Sequence, residues 1–226
     1  MMVKDFEFRG LPFKVACCED YPDHPTWYSF VDEQDVRLRN WGVAPGQVCL
    51  DVGASFGSYT AAALASGAAH VYSWCPEGVP NGPREADTLH ETLALNGWEG
   101  RCTIFVNGVY DRDGWFTTNE NRFDAEEPPN RGPNTIPVRT LDSFHREHAL
   151  ARADWMKLDV EGAEVEVLRG GEKLIRELRP RILVENHVFV RATIADEVRA
   201  LLESWGYRHV STVPYHTVSH SLYEPV

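Results

Sequence analysis

The chain has 226 residues, 43% hydrophobic and 25% charged, enough for a single α/β domain with a complete core. Its 34 acidic against 22 basic residues leave a formal charge of −12, which repels phosphate backbones and argues against nucleic acid as a partner. Five cysteines in an odd count without metal-type spacing read as reduced thiols, Asp5 and Glu7 sit where a secretory leader would be apolar, and the longest apolar run, 61–71, is too short for a membrane span, so a cytoplasmic protein is expected.

In chain order, residues 1–40 read as an irregular cap rich in aromatics and prolines, with a lead-in helix over 32–41, and 41–226 as the main domain. From Val48 the pattern alternates: strand 48–52, helix 57–66, strand 70–74, helix 84–96 and strand 102–106. A turn at 111–114 precedes a short strand over 115–118, and 119–135 reads as one long structureless loop of the kind that often forms a lid. A helix over 141–148, a strand over 155–159 and a helix over 164–178 follow, the last with a candidate break at Gly170-Gly171. A strand over 181–185, a helix over 193–205 and strands near 207–211 and 219–223 close the chain. This alternation predicts a mostly parallel sheet with helices on both faces. Ligands of such sheets sit at the carboxyl ends of the strands, where Asp51, Cys75, Asn107, Asp159 and Glu185 fall.

The junction Val48-Cys49-Leu50-Asp51-Val52-Gly53-Ala54-Ser55-Phe56-Gly57 runs from an apolar strand through a glycine turn into a helix, whose first N–H groups form a seat for a charged small molecule. Three ligand chemistries compete for it. A dinucleotide wants G-x-G-x-x-G, and Ser55 stands where the second glycine belongs. A serine hydrolase wants G-x-S-x-G, which Gly53–Gly57 satisfies literally, but that reading gives Asp51 no role and lacks an upstream oxyanion segment. S-adenosylmethionine presents an amino-acid end to the turn and uses Asp51, Gly53 and Gly57 together, the most economical reading.

Residues 154–187 contain Lys157-Leu158-Asp159-Val160-Glu161-Gly162-Ala163-Glu164, then Leu168-Arg169-Gly170, then Pro180 before a strand ending in Glu185. With Asp51-Val52-Gly53-Ala54, the 111–114 turn and Thr140-Leu141-Asp142, this resembles the FkbM family of S-adenosylmethionine-dependent methyltransferases over about residues 46–210. The resemblance implies a Rossmann-like class I methyltransferase with a mostly parallel seven-stranded sheet, moving a methyl group to a hydroxyl of a sugar, glycan or secondary metabolite. It implies cofactor contacts at Asp51, Gly53, Ala54 and Gly57 for the methionine end, Cys75 and Glu77 for the ribose, and Asn107 for the adenine. Cys75 departs from the family, which usually has an acid there to hold the ribose hydroxyls. A nucleoside-binding module without turnover is therefore the alternative.

Asp159, Glu185 and His187 are the expected catalytic residues facing the acceptor, and the same three offer an oxygen-rich, one-imidazole site for Mg²⁺ or Mn²⁺. Glu161 could share that work, Glu164 reads as a first-turn acid, and Lys157 as a buried ion pair or a desolvated base. His187 suits a general base by its near-neutral pKa. His216 and His220, four apart on a strand-like segment, read as a chance spacing, and Trp27, Trp41 and Trp74 as core unless they stack on a ligand.

Overall fold

A computed structural model describes residues 2–17, 38–76, 85–118, 122–130, 132 and 134–226. The first finding corrects the expected irregular cap: β1 (Met2–Phe8) and β2 (Leu11–Cys17) form an antiparallel hairpin. Arg9 and Gly10, both with positive φ, make the two-residue turn that suits the twist of paired strands. Alternation puts Phe6 and Phe8, then Phe13 and Val15, on one buried face. The hairpin is pinned to the helix Glu85–Asn96, where Asn96 Oδ1 accepts from Lys14 N (2.8 Å) and its Nδ2 donates to Lys14 O (2.7 Å). Thr92 Oγ1 accepts from Ala16 N at 3.1 Å. Of the lead-in helix, a short 3₁₀ turn (Leu38–Asn40) is described; Trp27 and the rest of that expectation lie outside the described residues.

The main sheet starts with β3 (Val48–Val52), α1 (Ser58–Ala65), β4 (His70–Trp74), α2 (Glu85–Asn96) and β5 (Cys102–Phe105). Then come β6 (Gly108–Val109), β7 (Gly114–Thr117), β8 (Arg122–Asp124), β9 (Thr135–Arg139) and α3 (Leu141–His148). The remainder is β10 (Trp155–Leu158), α4 (Glu164–Gly170), α5 (Glu172–Leu178), β11 (Arg181–Asn186), α6 (Ile194–Ser204), β12 (Tyr207–Tyr215) and β13 (Val218–Pro225). Seven strands lie in the order β12-β13-β11-β10-β3-β4-β5, all parallel except β13. The chain leaves β3 in one direction and returns to β10 on its other side, so a crevice opens between the ends of β3 and β10.

Strand parity distributes two cores. Cys49, Val71, Trp155 and Leu183 face α1, α2 and the hairpin; Leu50, Val52, Met156, Leu158, Ile182 and Val184 face the helices of the second half. Both faces of β3 and β10 are covered, which is why these strands are apolar apart from Asp51 and Lys157. Among the described residues, no helix is long and apolar enough to cross a membrane. Cys17, Cys49, Cys75 and Cys102 are free thiols.

The predicted long loop over 119–135 is a second correction. β8 pairs with β7, and β9 starts at Thr135, giving a small sheet in the order β6-β9-β7-β8 beyond the end of β5. Motif residues between the sheets are structural. Asp113 accepts from Thr140 N and Ser143 Oγ, and Asp142 accepts from Lys173 N and Leu174 N, capping α5. The helix breaks at Gly171, and Gly170 beside it is sterically required: a Cβ there would lie 2.2 Å from Tyr110 O.

Gly53 is the tightest point of the crevice. At φ +82°, a Cβ there would sit 1.7 Å from Asp159 O, on backbone that cannot rotate away. Gly53→Ala should lower stability by roughly 3 kcal/mol and Tm by about 6–12 °C, as read by scanning calorimetry.

Candidate active site

Register explains how the charged groups meet. Asp51 on β3 stands directly opposite Lys157 on β10, and both point to the α1 face. Lys157 Nζ donates to Gly53 O at 2.7 Å, lies 3.0 Å from Asp159 Oδ2 and 3.8 Å from Asp51 Oδ1, and sits over the Tyr59 ring at 4.8 Å. Asp51 Oδ2 accepts from Thr60 Oγ1 at 2.6 Å, and Thr60 also bonds Ser73 at 2.7 Å. Burial alone would drive the Lys157 ammonium down, but Asp159, Asp51 and Glu185 outweigh it and raise its pKa. Burial pushes the Asp51 carboxyl up, with Lys157 and Thr60 pulling it back. Asp51 is fully buried, so it organises the glycine turn from behind.

The turn itself carries positive φ at Gly53, Ser55 and Gly57. Leu89 packs where a Gly57 Cβ would go, 2.3 Å from that position. In the first turn of α1 the Thr60 N–H donates to Asp51 from behind the glycine turn. A cleft of about 420 Å³ opens there. Gly53, Ser55, Trp74 and Pro76 line one wall; Phe116, Ile136 and Val138 of the small sheet line another; Asp159, Val160 and Glu161 form the rim. Three carboxylates (Glu85, Asp159, Glu161) border this cleft, and none of its described lining residues is a lysine, arginine or histidine.

Of the expected catalytic trio, Asp159 reaches the cleft, while Glu185 (4% exposed) and His187 (2%) lie behind it. His187 Nδ1 bonds Glu164 Oε1 at 2.7 Å; its Nε2 lies 3.3 Å from Glu161, 3.6 Å from Asp159 and 3.9 Å from Glu185. Glu164 is more than a first-turn acid: it is fully buried and also accepts from Gly162 N. Burial would lower the His187 pKa, yet the bonds to Glu161 and Glu164 and the charge of Asp159 carry it up to about 10. His220 is buried on β13 opposite Glu185, 3.8 Å from its carboxylate, so its position has a packing reason that the His216 spacing did not reveal. Asp159, Glu161 and His187 each turn one ligand atom to a common point, all within 4.8 Å of one another.

Among the expected cofactor contacts, Gly53 lines the cleft and Ala54 is buried in the turn, its N–H donating to Trp74 O. Asn107 bonds the carbonyl of Gly108, which lines the cleft. Cys75 is fully buried, and its thiol donates to Ser55 O at 3.1 Å. Glu77 lies outside the described residues. Trp41 is core, edge-on to Trp155 and Tyr59, whereas Trp74 stacks on Phe105 and lines the cleft. Ser55 hydrogen-bonds Glu85 without an imidazole between them, which removes the hydrolase relay. Glu85 is the residue that sequence reasoning missed; it follows a proline- and glycine-rich stretch, and its only signal was its place at the start of a helix.

This strand order, with the crevice at the reversal point and the glycine turn leading into α1, defines a Rossmann-like methyltransferase fold. The methyltransferase FkbM from Methylobacillus flagellatus KT matches with a TM-score of 0.61 at 16% identity, over 83% of this chain and 46% of that one. A candidate SAM-dependent methyltransferase from Streptococcus mutans matches at 0.57 and 12% identity, over 98% and 55%. The candidate methyltransferase SMU.776, solved with SAH, matches at 0.52 and 13% identity, over 98% and 56%. The chain thus spans about half the length of each of these. No curated protein matches. Residues 51–209 match the methyltransferase FkbM domain, and the chain belongs to that family.

The charge of His187 has a thermodynamic signature. Its folded pKa of about 10 exceeds the ordinary 6.5, so its stabilisation is full below about pH 6.5 and is lost as pH rises toward 10. Urea unfolding of the parent should therefore show stability falling across that window, and His187→Gln should flatten the slope; parallel slopes would show that the imidazolium is not held.

Proposed function

We propose that the chain is an S-adenosylmethionine-dependent O-methyltransferase acting on a hydroxyl of a sugar, glycan or secondary metabolite. The observation that carries the reading is a cleft whose described lining holds three carboxylates and no lysine, arginine or histidine, beside the glycine turn that leads into α1. Three carboxylates favour a sulfonium and disfavour a pyrophosphate, which separates this cofactor from a dinucleotide. The small sheet's apolar wall suits a nucleobase, and the turn suits the amino-acid end of the cofactor.

In this reading the acceptor hydroxyl enters over the rim and donates its hydrogen bond to Asp159. The oxygen attacks the methyl carbon in line with the departing sulfur; the C–O bond forms as the C–S bond breaks, leaving a neutral thioether. The hydroxyl proton passes to the Asp159 carboxylate and then to water. Lys157 and His187 hold that carboxylate from behind, each through a charged contact. His187 already carries its proton below about pH 10, so it positions Asp159 and does not act as the base. Glu185, buried beside it, belongs to the same supporting layer.

Mg²⁺ or Mn²⁺ would be held at the same rim by Asp159 and Glu161, and by His187 once the ion displaces its Nε2 proton, with Nδ1 of the histidine fixed by Glu164 so that Nε2 faces outward. Such an ion would supply Lewis-acid polarisation of the hydroxyl. Glu185 stands one layer deeper than the sequence suggested for this ligand set.

Asp159→Asn should cut kcat by about 100-fold or more while S-adenosylmethionine affinity changes little, and Asp51→Ala should do the opposite through the loosened turn; radiolabelled methyl transfer and calorimetry measure the two. Calorimetric binding of S-adenosylhomocysteine with no transfer to any hydroxyl acceptor would identify a nucleoside-binding module instead. Titration with MnCl₂, followed by the Mn²⁺ electron paramagnetic signal, should show one site in the parent and at least 10-fold weaker uptake in His187→Gln.

A further inference from the structure

We propose that Glu85 supplies the ribose-holding carboxylate that Cys75 does not. The assignment rests on the reading of this cleft as an S-adenosylmethionine site and identifies one residue within it. A ribose presents two neighbouring hydroxyls, and one carboxylate can accept from both at once, whereas a thiol offers a weak acceptor and one weak donor.

The β4 end cannot make that contact with its own side chain. Cys75 is fully buried, and its sulfur is directed to Ser55 O at 3.1 Å and to Glu85 Oε2 at 3.7 Å. Among the described residues, the carboxylate that reaches the β4 end arrives from the side, on the first residue of α2. It lines the same cleft as Gly53, Ser55, Trp74 and Pro76 and sits within hydrogen-bond reach of the turn. The Ser55 hydroxyl donates to it, and Cys75, whose single S–H is shared between Ser55 O and this carboxylate, lies 3.7 Å away. Cys75 is thus the support of the acid, in the place where the family resemblance expects the acid itself. Burial with Asp159 and Glu161 nearby raises the Glu85 pKa, consistent with a carboxylate held in a closed, acidic pocket and not at an open helix end.

A competing role for Glu85 is purely structural, complementing the dipole of α2 from its first turn. The two roles separate when the ligand is varied as well as the protein. Calorimetry would compare S-adenosylhomocysteine with its 2′-deoxy and 3′-deoxy analogues on the parent and on Glu85→Gln, which keeps size and shape. The parent should bind the full ribose about 10- to 30-fold more tightly than at least one deoxy analogue, and Glu85→Gln should lose that factor for S-adenosylhomocysteine while binding the same analogue as the parent does. Equal losses for all three ligands, or none for any, would overturn the assignment of Glu85 and leave the cofactor reading standing. No binding of S-adenosylhomocysteine to the parent would overturn both.

Discussion

A buried ammonium is the centre on which the crevice is built. Lys157 stands in the middle of a parallel sheet, where an unpaired charge would cost several kcal/mol, and it is tolerated because two carboxylates and a carbonyl surround it. Each partner comes from a different part of the site: Asp51 from the strand before the turn, Gly53 from the turn itself, Asp159 from the rim. The ion cluster therefore spans the gap between β3 and β10 that the parallel topology leaves open. Thr60 extends it into α1 and Ser73 into β4, so β3, β10, α1 and β4 share one polar layer. Removing any charged member strands the others without water, which makes the layer a constraint on shape more than a source of stability.

Charge is arranged with a direction across this layer. Cations lie behind the rim, at Lys157 and His187, and carboxylates face the cleft, at Asp159, Glu161 and Glu85. The inner cations offset the crowding of carboxylates along the rim. A surface of that sign favours cationic over phosphate-bearing ligands. The overall charge of −12 acts in the same sense at longer range.

Much of the sheet was legible because its strands are buried on both sides. Strands 48–52 and 70–74 were read to the residue, since an apolar run ended by glycine or proline has one physical meaning in an alternating chain. The hairpin of β1 and β2 was hidden by charged residues on its exposed face and by Pro12. The strands β6, β8 and β9 have two to five residues each, and β9 holds Pro137; pairing, not propensity, creates them. Asp51 and Asp159 were visible as acids at the ends of apolar strands. The Glu164–His187 bond and the approach of Glu85 to Cys75 were not, because both depend on how a helix is set against a strand 10 to 23 residues away.

Helix α2 is anchored at both ends of its 12 residues. Its final residue clasps the N-terminal hairpin through Asn96, and its first residue, Glu85, looks into the cleft. At 1.5 Å per residue the rod is about 18 Å long, a stiff lever with the hairpin as its counterweight. A segment that shares no strand with the main sheet thereby acquires leverage over the cleft, and losing its grip would tilt the far tip before any core residue had to move.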